Sequence, residues 1–182
     1  MSYYRRANTP GATYFFTVIT YKRQNILCQK PIREALRNAI TSTRKKYPFN
    51  IDAWVLLPDH LHCIWTLPKD DHNFSVRWNL IKRRVSRACK NEYDKQLLQT
   101  PSKQKHREST FWQRRFWEHR IRDRKDMNCH LDYIHFNPVK HGYCKQASEW
   151  PYSSIHRYIQ TGKYPENWAS TTPITNTNCF GE

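Results

Sequence analysis

Several features that define common protein classes are missing from this chain of 182 residues. The six cysteines form no C-x-x-C pair, and their spacing fits neither a zinc ribbon nor a zinc finger. No apolar run approaches the length of a membrane span, and the polar, basic opening residues lack the apolar core of a secretory signal. We therefore expect a reduced, cytoplasmic protein whose cysteines mostly act as small core residues.

Acidic residues are scarce as well, and this scarcity leaves a strong positive charge. The chain has 31 Lys and Arg against 15 Asp and Glu, for a formal net charge of +16. Basic side chains gain affinity for nucleic acid by releasing counterions from its phosphates. Nucleic acid is therefore the expected partner, and a nucleoid-associated location follows from it. A protein that binds phosphates without any chemistry would fit the charge equally well.

The order of predicted elements indicates an α+β fold. Aromatic and β-branched residues predict strands at 13–21, 50–57 and 60–67, and Pro58-Asp59 predicts a tight turn between the last two. Helices are predicted from Pro31 to residue 46 and over 74–92. A fourth strand is predicted within 111–122. The next helix is capped by Asp123 or Asp126 and is expected to end at Asn137-Pro138.

This order, strand, helix, strand, strand, helix, strand, with a helix after it, predicts a ferredoxin-like sandwich. The sheet should be antiparallel, with helices mainly on one face. We assign residues 1–160 to this domain, including its basic N-terminal segment. Residues 161–182 are rich in Thr, Asn and Pro, and we expect them to form a polar, mobile C-terminal tail.

Two histidines stand two residues apart in the apolar run LPDHLHCIW. On a strand, residues i and i+2 share a face, so His60 and His62 would project together while Cys63 faces away. Two imidazoles on a rigid strand make a natural metal-binding edge. An H-x-H triplet is nevertheless a weak signal in a chain with nine histidines. By itself, the triplet fits two packed core histidines better.

A second informative stretch is CHLDYIHFNPVKHG, at 129–142. On a helix, Tyr133 and Asn137 would lie one turn apart on the same face. Their hydroxyl and amide groups would then be directed at the same volume. The same sequence is also explained without any function, by a half-buried tyrosine and an asparagine that ends the helix. His135, two residues from Tyr133, would point elsewhere and is expected at the surface or against DNA.

Basic residues form three clusters that could contact nucleic acid. The helix predicted over 74–92 carries arginines with few acids nearby, so a phosphate partner would relieve their repulsion. A solvated helix face is the other interpretation of that cluster. The N-terminal arginines stand beside two tyrosines, which suits stacking on single-stranded bases. The candidate DNA-binding residues are Arg5, Arg6, Arg83, Arg84, Arg87, Arg114 and Arg115.

Taken together, three motifs resemble the REP-associated tyrosine transposases, relatives of the small HUH transposases that move single-stranded insertion sequences. They are LPDHLH at 57–62, FWQRRFWEHRIRD at 111–123 and DYIHFNPVKHG at 132–142. The opening YYRRANTPGATYFFTVIT is also similar to the family's first strand and its lead-in. The similarity runs from residue 3 to 155, in the family's order, and excludes the tail.

The resemblance implies a function for each motif. His60 and His62, with Asn137 four residues after the tyrosine, would hold a divalent cation, expected to be Mg²⁺ or Mn²⁺. Tyr133 would attack DNA and form a 5′-phosphotyrosine intermediate, so that the strand can be rejoined without ATP. The expected enzyme is an HUH tyrosine transposase that cleaves and rejoins single-stranded DNA at hairpins of repetitive extragenic palindromes.

Other functions stay open at this stage. A domesticated protein could bind the hairpin without cleaving it, and a nuclease could use the same metal to hydrolyse DNA with water. Related insertion-sequence enzymes are dimers in which the tyrosine helix of one subunit completes the other's site. The additional C-terminal segment of this chain favours a monomer over a homodimer.

Overall fold

A four-stranded antiparallel sheet carries the fold in the computed structural model, which describes residues 9–93 and 110–169. The strands lie in the order β2-β3-β1-β4, as expected for the ferredoxin-like sandwich, and the predicted fold class is confirmed. The strands are β1 (Thr13–Ile19), β2 (Asn50–Leu56), β3 (His60–Thr66) and β4 (Trp117–Arg120).

Within the described residues, three long helices and two short ones accompany the sheet. α1 shows how the sequence specifies them: a proline lies in its first turn, its inward positions repeat at helical spacing, and its last turn is basic. The helices are α1 (Lys30–Lys46), α2 (Phe74–Ala88), α3 (Lys90–Tyr93), α4 (Arg124–Lys140) and α5 (Ile155–Gln160). None of the helices in the described ranges is long and apolar enough to cross a membrane.

The two faces of the sheet have separate cores. α1 and α2 cover one face, where Phe16 and Cys63 belong to a large aromatic cluster that includes Trp65 stacked on Trp78. α4 covers the other face, where Phe15 packs with Leu131, and Trp150 and Tyr158 from later in the chain pack against the same core. Two of the three long helices thus share a face, and the third lies on the face to which alternation directs His60 and His62.

Proline does not end α4 where the sequence predicts. The helix continues through Pro138 to Lys140, although the proline ring has no N–H to donate to the preceding turn. The ladder resumes after it, because the His141 N–H bonds the Asn137 carbonyl at 3.0 Å. Asn137 is therefore a helical residue. At the other end, the Asp123 carboxylate accepts from the Asp126 N–H at 2.8 Å, which is the predicted N-cap.

Three other boundaries differ from the sequence prediction. The helix predicted over 74–92 breaks at Cys89, and the strand predicted within 111–122 is reduced to β4. Packed structure also continues past residue 160. Tyr164 is buried and its hydroxyl donates to Asp132 of α4 at 2.5 Å, so the part of the expected mobile tail up to 169 is anchored on α4. The rest of that tail lies outside the described residues.

Candidate active site

β3 brings His60 and His62 together on the face that α4 covers, as the i, i+2 spacing predicts. His60 is 2% exposed and His62 0% exposed, and their ring centroids are 4.8 Å apart. Cys63 points into the core on the opposite face, so it cannot join them. Burying two imidazoles in one place has a desolvation cost that an apolar pair would avoid. Their position therefore suggests a chemical role.

Each of the two rings is held by a bond at Nδ1. The Asp59 carboxylate lies 2.6 Å from Nδ1 of His60 and accepts from Arg23 at 3.0 Å on its other oxygen. The Thr17 hydroxyl lies 2.8 Å from Nδ1 of His62. With Nδ1 protonated and bonded, the lone pair of a neutral ring stands on Nε2, the arrangement typical of metal-binding histidines.

The pKa values of these groups favour the same protonation states. Burial by itself would raise the pKa of Asp59, but hydrogen bonds from His60 and Arg23 lower it to about 2. Burial also holds the pKa of His62 well below its usual 6.5, and the neighbouring basic groups, including Lys140, act in the same direction. Asp59 is consequently an anion at neutral pH, and His62 is neutral.

α4 directs Tyr133 and Asn137 at the histidines. Both side chains are buried, and the Tyr133 ring lies edge-on to His62 with 5.1 Å between ring centroids. Because α4 stays helical past Pro138, the i, i+4 pair keeps a common face. All four candidate residues thus meet in one region of a single chain.

Unpartnered polar atoms in this region fit a metal ion. His60 Nε2 and both amide atoms of Asn137 are buried and have no hydrogen-bond partner among the described residues. Buried polar atoms are nearly always bonded, so such exceptions call for a ligand. Imidazole nitrogens and an amide oxygen form a donor set that a divalent cation accepts while keeping positions open for substrate. The residues present therefore fit the expected ion.

Two basic residues complete the surroundings. The Lys140 ammonium lies 5.1 Å from the centre of the Tyr133 ring, and the His141 ring lies 5.3 Å from that of His60. Both follow Asn137 at the end of α4. A cation beside a phenol favours the phenolate, and it would also attract a phosphate.

A second group of possible metal ligands lies on the same sheet face, nearer β4. One ligand atom from each of His119, Asp126 and His130 lies within 4.8 Å of the others. His119 Nε2 and His130 Nδ1 are 2.8 and 3.0 Å from the two oxygens of the Asp126 carboxylate. His130 is one turn before Tyr133 on α4, and the sequence analysis did not identify this group.

The candidate DNA-binding arginines lie away from these histidines. Arg83 and Arg87 are exposed on α2, across the sheet from α4, whereas Arg84 donates to Thr43 of α1 at 2.6 Å. Arg114 and Arg115 are exposed in the segment before β4. Lys82 of α2 donates to the carbonyls of Gln113 and Arg114, which joins the two clusters. Arg5 and Arg6 lie outside the described residues.

His135 is not at the surface, contrary to the sequence prediction. Its side chain projects from α4 and is buried against Tyr158, and its Nε2 lies 2.9 Å from the Ser154 hydroxyl. Burial lowers its pKa to about 3, with smaller contributions from Lys163, Arg157 and His156. Ser154 and Tyr158, which lie in the region 147–160 that was expected to be helical, supply this environment, and the helix there is α5 (Ile155–Gln160).

Several residues of the site were missed by sequence reasoning. Asp59 adjoins the histidine pair in LPDHLH and could have been identified as an orienting carboxylate. Lys140 and His141 were within the quoted motif but were given no role. Thr17 had no signal, because only the register of β1 on β3, Thr17 opposite His62, brings it to the ring.

Comparisons with known proteins agree with this geometry. The family model described as Transposase IS200 like matches residues 9–137. A REP-associated tyrosine transposase of Escherichia coli (strain K12) is 46% identical over 171 residues, which are 93% of this chain and 92% of the relative. A second relative is a putative REP-associated tyrosine transposase of Haemophilus influenzae (strain ATCC 51907 / DSM 11121 / KW20 / Rd). It is 45% identical over 174 residues, which are 96% of this chain and 97% of the relative.

A solved structure shows the same similarity. It is the structure of a REP-associated tyrosine transposase bound to a REP hairpin, and it superposes with a TM-score of 0.80 at 42% identity. The match covers 100% of this chain and 98% of that chain. Both the sequence and the fold of this chain are thus shared, over nearly their full length, with proteins of one family.

Proposed function

This chain belongs to the REP-associated tyrosine transposases, within the IS200-like transposases, and we propose which of its residues cleave and rejoin DNA. Tyr133 is the nucleophile, and His60, His62 and Asn137 hold the metal. The observation that carries this proposal is the set of buried, unpartnered atoms of His60 and Asn137, on the strand and the helix that bring His62 and the Tyr133 ring together. No apolar packing role accounts for polar atoms left without partners at that place.

In the proposed reaction the Tyr133 hydroxyl oxygen attacks the phosphorus of one phosphodiester. The bond from phosphorus to the 3′ oxygen breaks, that oxygen leaves as a 3′-hydroxyl, and the 5′ phosphate stays on the tyrosine. The phenolic proton is lost as the new bond forms, and Lys140, 5.1 Å from the ring, stabilises the negative charge. The reverse attack by a 3′-hydroxyl restores the strand without ATP.

The metal is proposed to be Mg²⁺ or Mn²⁺. Two imidazoles and one amide oxygen leave coordination positions for phosphate and water, unlike a closed zinc site. When bound, the ion would polarise an oxygen of the scissile phosphate and orient it for in-line attack. Asp59 and Thr17 hold the two rings with Nε2 presented to it.

The proposed substrate is single-stranded DNA that carries the hairpin of a repetitive extragenic palindrome. The hairpin-bound structure of a relative at 42% identity supports this choice. The net charge of +16 supports contacts with its phosphates, to which we assign Arg5, Arg6, Arg83, Arg84, Arg87, Arg114 and Arg115. Such a protein would be found with the nucleoid.

We also propose that the active unit is a monomer. Tyr133 reaches His62 of its own chain, so no second tyrosine helix is needed to complete the site. A mixture of the Tyr133→Phe and His62→Ala proteins should consequently form no adduct. Recovery of adduct in the mixture would instead indicate a dimer with exchanged helices.

Covalent adduct formation tests the proposed function. End-labelled hairpin oligonucleotides with single-stranded flanks are incubated with Mg²⁺, Mn²⁺ or EDTA and separated on a denaturing gel. A slowly migrating band that requires the ion and is lost in Tyr133→Phe is expected, and Tyr143→Phe, an exposed tyrosine of the same region, serves as the control. Cleavage without a covalent band would indicate a hydrolytic nuclease. Hairpin binding with neither product would indicate a non-catalytic binding protein.

A further inference from the structure

A basic groove lies beside the edge strand β2, on the side away from the candidate active site. It has a volume of about 790 Å³ and runs between α1 and residues 151–157. Trp54 contributes to it from β2, whereas the next residue, Val55, pairs with His62 and faces α4. One strand therefore separates the groove from the catalytic histidines.

Four arginines line this groove, and none of its lining residues is acidic. Three of them, Arg33, Arg37 and Arg44, are four and then seven residues apart on α1. At a rise of about 1.5 Å per residue, this spacing makes a row about 16 Å long on one side of the helix. Arg157 lies on the opposite wall.

Three of the arginines are oriented by neutral carbonyl groups, which leave their charge in place. Arg44 and Arg33 donate through Nε to the carbonyls of Phe49 and Cys28 at 2.9 and 3.0 Å, and Arg157 donates to the Asp52 carbonyl. Arg77 provides the contrast, because it forms an ion pair with the Asp71 carboxylate at 2.7 Å. An anionic partner is needed to neutralise the groove.

Aromatic and aliphatic side chains provide the rest of the lining, together with a few small polar residues. Trp54 is half-buried, and the Tyr152 ring lies under the Arg33 guanidinium at 4.6 Å. The bases of a duplex are stacked on one another and offer no exposed ring faces to such a groove. Unpaired bases have exposed π-faces that stack on aromatic rings while arginines hold the backbone.

We infer that this groove binds an unpaired segment of the DNA, on the order of five stacked nucleotides at about 3.4 Å per nucleotide. The inference rests on the proposed function for the identity of the partner. Ser154 links the two regions, since its hydroxyl bonds both the Trp54 N–H and His135 of α4. The groove wall is thus attached to the helix that carries Tyr133.

The test measures binding of a fluorescent twelve-nucleotide oligo-dT and of a blunt hairpin without flanks, in EDTA, over a series of salt concentrations. Arg37→Ala should weaken oligo-dT binding about five- to tenfold and reduce the salt slope by about 0.7, the contribution of one single-strand phosphate. The blunt hairpin should bind as before. Lys45→Ala, on α1 but outside the groove, is the matched control.

Crosslinking supplies a second measurement. Oligo-dT carrying 5-iododeoxyuridine is irradiated with the wild-type protein, and we expect crosslinked peptides that contain Trp54 or Tyr152. Unchanged oligo-dT affinity in Arg37→Ala, crosslinks only elsewhere, or an equal loss for the blunt hairpin would each overturn the inference. The Tyr133 adduct is measured separately with wild-type protein, so loss of the groove site and failure of the proposed chemistry are distinguished.

Discussion

Two histidine clusters lie on the same face of the sheet, and their hydrogen bonds differ in kind. In the first, His60 and His62 bond orienting groups through Nδ1, and His60 Nε2 and the Asn137 amide are left without partners among the described residues. In the second, His119 and His130 direct their nitrogens at Asp126 itself. Ligand-type side chains are close together in both clusters, but in the second the carboxylate and one nitrogen of each ring are already bonded to one another.

The second cluster already satisfies its carboxylate. Asp126 accepts from His119, from His130 and from both the backbone and side chain of Arg122 at 2.8–3.2 Å. These donors come from β4, from the turn after it and from α4. Its evident effect is therefore to fasten the start of the tyrosine helix to the edge of the sheet. Proximity of ligand types is thus a poorer guide to a metal site than the direction of their lone pairs.

The largest expected effect is on metal affinity, which should differ between variants of the two clusters. His62→Ala should weaken Mn²⁺ binding by at least about a hundredfold, because it removes a ligand whose supporting partners alone are worth about 10–100-fold. His119→Ala should leave the affinity within about twofold. Titration calorimetry on both variants checks this, and a metal lost from His119→Ala but kept in His62→Ala would reverse the assignment.

Asp126→Asn should chiefly affect stability. The amide cannot accept every bond that the carboxylate accepts, so the free energy of unfolding should fall by about 2–3 kcal/mol. Denaturant unfolding measures the change. Adduct formation by the folded variant should persist at reduced rate, and complete loss of Mn²⁺ binding in folded Asp126→Asn would show that the second cluster is the metal site.

The same residue has a pH signature. Burial raises the pKa of Asp126, but hydrogen bonds from His119 and Arg122 outweigh it and lower the value to about 2. A carboxylate whose pKa is lower in the folded than in the unfolded chain stabilises the fold above the unfolded value, near 3.8. That stabilisation is lost as pH falls from about 4 towards 2, so Asp126→Asn should show a shallower loss of stability in this range.

An intermediate effect is expected from the orienting carboxylate of the first cluster. Asp59→Asn keeps an acceptor for His60 but removes the negative charge, so Mn²⁺ affinity should fall about tenfold or somewhat more. Asp71→Asn, which removes a carboxylate paired with Arg77 on the other side of the sheet, is the control and should leave Mn²⁺ affinity unchanged. Equal effects of the two variants would indicate a general electrostatic cause.

How much of this site could be predicted from the sequence depends on how far apart in the chain the interacting residues are. His60 with His62, and Tyr133 with Asn137, are related by the periods of one strand and one helix, so their common direction is readable from spacing. That the two pairs meet follows only from α4 packing across the sheet, and the family resemblance supplied that link. The predicted end of the helix at Asn137-Pro138 was wrong, because the local steric effect of proline was outweighed by continued packing of the helix.

Contacts between distant segments could not be read in the same way. Strand order followed from the element pattern, but the bonds of His135 to Ser154 and of Tyr164 to Asp132 depend on a C-terminal segment without clear periodicity. The Asp126 cluster likewise joins β4 to α4. These contacts depend on the register and docking of whole elements, which residue types alone do not determine.

The smallest expected effect concerns Thr17, which has no local sequence signal at all. Thr17→Val keeps the shape but removes the hydroxyl 2.8 Å from Nδ1 of His62, so the tautomer with its lone pair on Nε2 loses one supporting bond. A hydrogen bond of this kind contributes about 0.5–1.5 kcal/mol, which corresponds to a few-fold to tenfold weaker Mn²⁺ binding. Nitrogen NMR of the histidine rings should show a greater share of the other tautomer. Thr13→Val removes a similar hydroxyl at the far end of β1, bonded to Thr66, and should change neither measurement. If both variants bind Mn²⁺ like wild type, His62 is oriented by packing alone. The metal-binding geometry of the first cluster would then depend on α4 rather than on the Thr17 hydroxyl of β1.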